Sequence, residues 1–82
     1  MDHARIFSEM VAILRPYVKN EAALESVTEE THILDDLKVN SARLVDIIIK
    51  CEDTFGIEID DDDADTIRTI GDAIKVITSR LP

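Results

Sequence analysis

The chain has 82 residues, 45% hydrophobic and 33% charged, with a formal net charge of −9 from 18 acids and 9 bases. A length like this builds one domain, here residues 1–82, with a small core, which suits a carrier, adaptor or binding module better than an enzyme with a deep enclosed site. The acidic balance excludes nucleic acid as the expected partner, because affinity there comes from neutralising phosphates, and it points to basic protein surfaces instead.

The longest apolar run, Met10 to Leu14, falls far short of a bilayer span, so no membrane insertion is expected. The start "MDHARIFSEM" lacks the basic stretch and small-residue cleavage site of a signal peptide, and a cytoplasmic monomer is the simplest expectation. The single cysteine, Cys51, allows neither an internal disulfide nor a cysteine-built zinc site.

Asp2 is placed to cap a first helix, whose apolar stripe is Ile6, Phe7, Met10, Ile13, Leu14, Tyr17 and Val18. Pro16 removes a backbone donor and crowds the preceding turn, so a kink or an end is expected there. Residues 20–40 carry isolated apolar positions (Leu24, Val27, Ile33, Leu34, Leu37) with no sustained period. That pattern describes a long loop pinned to the core at several points, with room for short helical turns. A second long helix follows. Leu44, Ile48, Cys51 and Phe55 recur at helical spacing and form its expected buried face, and Gly56 ends it. A short helix is expected near residues 62–67. Thr69 with Asp72 then marks the start of a last helix, with Ile70, Ala73, Ile74 and Ile77 as its apolar face. The expected fold is all-α: a four-helix bundle of three main helices, one short helix and a long first loop.

Three groups of residues carry candidate chemistry. Between Cys51 and Ile67 lie eight acids and no base: Glu52, Asp53, Glu58, Asp60, Asp61, Asp62, Asp63 and Asp65. Asp61, Asp63, Asp65 and Asp72 fit positions 1, 3, 5 and 12 of a calcium-binding EF-hand loop. Thr66, however, stands where that loop needs glycine, and a short Asp closes it in place of Glu. Weak divalent binding by clustered carboxylates is the better expectation, and no metal site is assigned. His3, His32 and Cys51 share no spacing that brings them together, and Cys51 on the buried stripe behaves as a small hydrophobe. Ser41, at a helix start, is by position a first-turn residue with no base in reach for nucleophilic catalysis. A helix N-terminus nevertheless favours a covalently attached phosphate, through its unpaired N–H groups and its dipole.

The run "ILDDLKVNSARLVDIIIKCEDTFGIEI" followed by "DDDADTIRTIGDAIKVI" resembles the acyl carrier protein family from Ile33 to Ile77. The shared features are an acidic-leucine step, a serine, a helix ending in acids and phenylalanine, an I-E-I connector, an acidic turn and T-hydrophobic-G-D-A. By this resemblance Ser41 bears 4′-phosphopantetheine, attached from coenzyme A by a phosphopantetheinyl transferase. The arm carries acyl groups as thioesters to partner enzymes of fatty-acid, lipid or related specialised acyl biosynthesis, and the protein itself catalyses nothing. The resemblance places partner docking, by enzymes with basic surfaces, at Asn40, Ala42, Arg43, Val45, Asp46, Ile49, Glu52 and Asp53. It places an acyl cavity among Ile33, Ile48, Ile59, Ile67, Ile70 and Ile74. Asn40 and Ala42 stand where the family has Asp and Leu, and Lys38 where it commonly has Gly. Arg43 and Lys50 add positive charge to a helix that is usually almost wholly acidic. These departures imply a specialised carrier with its own partners. The alternatives are a carrier-like interaction module that is never modified, and a divalent-cation-binding module.

Overall fold

Each long helix begins at a side chain that caps it. In the computed structural model, which describes residues 2–81, α1 spans His3–Leu14 and the Asp2 carboxylate accepts the Arg5 N–H at 2.8 Å. Pro16 ends the α-helical run as expected, and Arg15–Tyr17 forms a 3₁₀ turn beyond it. A four-residue helix, α2 (Ala22–Glu25), interrupts the long first connection. The Asn40 side chain accepts the Ala42 N–H at 2.8 Å to start α3 (Ser41–Phe55), and Gly56 stops it in the left-handed conformation at φ 65°. The short helix α4 covers Asp61–Thr66. In α5 (Ile70–Arg80), Thr69 and Asp72 form a reciprocal capping box.

The helices pack through α1, which lies against both α3 and α5. Ile6, Met10, Leu14, Ile33, Ile47, Ile70, Ile74 and Ile77 are almost completely removed from solvent. Burying each such side chain contributes about 1.5–3 kcal/mol before entropy is set against it. One expectation is corrected here. The buried ridge of α3 runs through Ile47, Cys51 and Phe55, while Leu44 and Ile48 flank it half-buried. The sequence offers apolar residues at 44, 45, 47, 48 and 49, so spacing alone does not choose the phase of the helix.

The 20–40 segment is tied down by the start of α5. Thr31 and Glu29 carbonyls accept the N–H groups of Ile70 and Gly71 at 3.1 and 2.8 Å, and the Arg68 carbonyl accepts the Ile33 N–H at 3.0 Å. A helix start leaves its first donors unpaired, and this loop takes two of them. The approach is close enough to require glycine: a Cβ on Gly71 would stand 2.9 Å from the Glu29 carbonyl oxygen. Leu24, Ile33 and Leu37 anchor the same segment in the core.

The acidic stretch folds as a helix start, not as an ion-binding loop. Asp60 caps α4 through the Asp63 N–H at 2.8 Å, and Asp61, Asp62 and Asp63 occupy the first turn, where the helix dipole favours negative charge. Arg80 at the end of α5 pairs with both Asp60 and Asp63, and these partners raise its already high pKa. Among the described residues, no group of three or more His, Cys, Asp or Glu side chains is arranged to hold a metal ion. Also among the described residues, no helix is long and apolar enough to cross a membrane.

Candidate functional site

Ser41 is the first residue of α3, and its side chain is exposed. Asn40 holds the helix start in the extended conformation (φ −67°, ψ 140°), and the Asn40 carbonyl accepts the Arg43 and Leu44 N–H groups at 2.9 and 3.2 Å. The serine hydroxyl therefore projects from a rigid point into solvent, beside the positive end of a four-turn helix. A phosphodiester at this position would lie at the helix N-terminus, with a neutral Asn40 before it and Arg43 two residues on in sequence. The chemistry of these neighbours fits a phosphate-linked group.

The chain before this helix is unusual in one respect. Lys38 has φ 57°, a left-handed conformation that side chains other than glycine, Asn and Asp rarely adopt. Beyond it an open groove of about 740 Å³ runs between three segments: Pro16–Lys19, Leu34 with Lys38–Asn40, and Arg43.

Along α3 the exposed face carries Ser41, Ala42, Val45 and Ile49. Val45 and Ile49 are 57% and 52% accessible, against 1% for Ile47 between them in sequence. These two are large apolar side chains in water, one turn apart on the face that begins at the serine. The acids expected beside them differ in availability. Asp46 is half-buried and pairs with Arg43 at 3.3 Å. Glu52 accepts the Ile59 N–H at 2.9 Å and so fastens the connector that follows Gly56. Asp53 is exposed.

Below that face lies an apolar pocket lined by Met10, Ile33, Leu44, Ile47, Ile48, Cys51, Ile59, Ile67, Ala73 and Ile77. Ile33, Ile48, Ile59 and Ile67 are where the sequence placed the cavity wall. Ile70 and Ile74 are buried in the core and do not line this pocket, to which α5 contributes Ala73 and Ile77. Met10 and Ile47 were missed because they join the pocket through the packing of α1 on α3, which no local spacing records. The pocket holds only about 10 Å³, at the lower limit for a single water, so as packed it has no room for an acyl chain.

Cys51 and the histidines stay apart. The thiol packs on the Met10 sulfur at 3.5 Å, and burial, reinforced by the Glu52 charge, pushes its pKa up to about 12. His3 contacts Glu29 at 2.9 Å on the surface, and His32 sits at the loop bridge to Thr69.

The comparisons with known proteins agree with this geometry. Residues 17–77 match the phosphopantetheine attachment site family. The chain is 46% identical over 59 residues to the acyl carrier protein of Lactobacillus acidophilus, covering 72% of this chain and 74% of that protein. It is 35% identical over 81 residues to the acyl carrier protein of Coprothermobacter proteolyticus, covering 99% and 96%. Its fold is similar to that of the acyl carrier protein from Enterococcus faecalis, with a TM-score of 0.79, 31% identity and 98% and 99% of the two chains covered. With the family matched over most of its length and its helices arranged as in a solved relative, this chain belongs to the acyl carrier proteins, which hold covalent phosphopantetheine and carry acyl groups without catalysing reactions on them.

Proposed function

We propose that Ser41 is the attachment residue, and that this chain presents acyl thioesters to partner enzymes of fatty-acid, lipid or related specialised acyl biosynthesis. The observation that carries this reading is the exposed Ser41 hydroxyl at the N-terminus of α3, inside the segment that matches the attachment-site family. In the modification by a phosphopantetheinyl transferase, the hydroxyl oxygen forms a phosphodiester, its proton is lost, and the nucleotide half of coenzyme A leaves. The attached group supplies a terminal thiol that holds the acyl chain as a thioester. The chain's own residues fix where that arm is rooted. Asn40 locks the helix start and α3 carries the serine on a rigid rod.

The docking surface we assign is the face of α3 from Ala42 to Asp53, centred on Val45 and Ile49. Two exposed apolar side chains beside Asp46 and Asp53 fit a partner with an apolar patch and a basic rim. Asn40, Arg43 and Lys50 make this face less acidic than the rest of the molecule. A strongly basic partner is repelled there by Arg43, which supports a specialised set of enzymes.

The test is direct. The folded protein, coenzyme A and a broad-specificity transferase should yield a species heavier by one phosphopantetheine, and Ser41→Ala should yield none. A folded wild-type protein that stays unmodified with several transferases would sink the assignment of Ser41.

A further inference from the structure

We infer that the open groove beside α3 seats the phosphodiester and the near half of the arm, so that this carrier holds its own prosthetic group against its surface. This rests on attachment at Ser41. The groove's place and chemistry supply the rest. Asn40 and Arg43, one residue before and two after the serine, both line it; Ser41 itself lies outside the lining, so an arm rooted there reaches the groove by passing over the helix start. The charged residues of its lining are Lys19, Lys38 and Arg43, with no acid among them. That concentration of positive charge sits in a chain of net charge −9. Tyr17, Val18, Leu34 and Val39 give the groove an apolar wall. An anion followed by a flexible, partly apolar chain matches that sequence of surfaces.

Two further observations favour the arm as occupant. Lys38 adopts a left-handed conformation that glycine takes without strain. A lysine kept in such a conformation puts a cation on the groove's rim, and strained residues collect where they serve a site. Arg43 is engaged by Asp46 at 3.3 Å, but the Arg43 side chain is largely in water and Asp46 is only half-buried, so the ion pair is weak and a phosphodiester nearby competes for the guanidinium. The groove volume of about 740 Å³ is within the range of small-molecule sites.

The experiment uses the holo protein, with intact mass confirming a single arm before anything else is measured. If no arm is added, the Ser41 reading fails and the groove is not at issue. With the arm present, phosphorus NMR is recorded from low to high salt for wild type and for Lys19→Gln/Lys38→Gln, alongside proton NOEs from the pantetheine methyl groups. The expected result is a wild-type phosphorus resonance that moves with salt, methyl NOEs to the Tyr17 ring, and loss of both in the double variant. Sharp, NOE-free pantetheine lines with a salt-independent phosphorus shift in wild type would overturn the inference, whatever the variant does. So would amide shifts between apo and holo protein confined to Ser41 and Ala42, with Tyr17, Val18 and Lys19 unmoved.

Discussion

The two ends of α3 differ in charge, although each has a left-handed residue in or near it, Lys38 before the helix and Gly56 after it. The N-terminal end opens onto a groove with three bases in its lining. The C-terminal end leads into the acids of Glu58 and α4, which Arg80 partly balances from α5. One helix thus offers an anion-tolerant end where the serine sits and an anionic end a few turns away. A partner on the docking face proposed above would have to match both, and charge order would then set orientation as well as affinity.

The comparison is broken most severely from beneath. Ile47→Ala, at the centre of the buried ridge, should cost about 2–5 kcal/mol by chemical denaturation. Val45→Ala and Ile49→Ala, on the opposite face, should stay within about 0.5 kcal/mol while weakening partner binding. If the two faces respond alike, the face of α3 assigned to docking is part of the core.

The left-handed positions give a pair of opposite sign. Gly56→Ala should destabilise by about 1–2 kcal/mol, and Lys38→Gly should stabilise by about 1 kcal/mol, because only glycine holds that conformation without strain. Equal signs in urea melts would show that the left-handed backbone at Lys38 carries no such strain.

Thr69→Ala should cost about 1 kcal/mol by removing the cap of α5. The cap also has a pH signature. The Thr69 backbone N–H holds the Asp72 carboxyl below its ordinary 3.8; burial opposes it, and the Arg68 N–H, the Thr69 hydroxyl and the Lys75 charge add smaller lowering effects. A carboxylate depressed on folding stabilises fully above its unfolded pKa and loses that contribution as pH falls through the lowered value. Asp72→Asn should therefore flatten the loss of stability below pH 3.8. An unchanged acid limb would remove Asp72 from the account. The smallest effect is expected from Arg80→Ala, which should lower the melting temperature slightly at low salt and not at high salt, since it leaves Asp60 and Asp63 to repel each other.

What could be read without coordinates was local. The Asp2 cap, the break at Pro16, the Gly56 stop and the Thr69–Asp72 box each depend on residues within a turn of one another, and each stands where its signal does. The phase of α3 did not, because five apolar residues in six positions satisfy more than one face. Of the six residues the family resemblance named for a cavity, Ile33, Ile48, Ile59 and Ile67 line the apolar pocket, while Met10 and Ile77 reach it from helices distant in sequence. The groove was not legible at all. Lys19, Lys38 and Arg43 are unremarkable one at a time and become one surface only when the first turn, the loop and α3 meet.

Cys51 has a meaning that its packing alone does not convey. A protein that carries thioesters and also contains a thiol risks capturing its own cargo by exchange. The attacking species is the thiolate, and burial, which pushes the Cys51 pKa up to about 12, keeps the thiol protonated at neutral pH. Cys51 lines the apolar pocket, yet burial against Met10 keeps its thiol protonated. Burial of Cys51 therefore keeps the one thiol of the chain unreactive as well as filling the core.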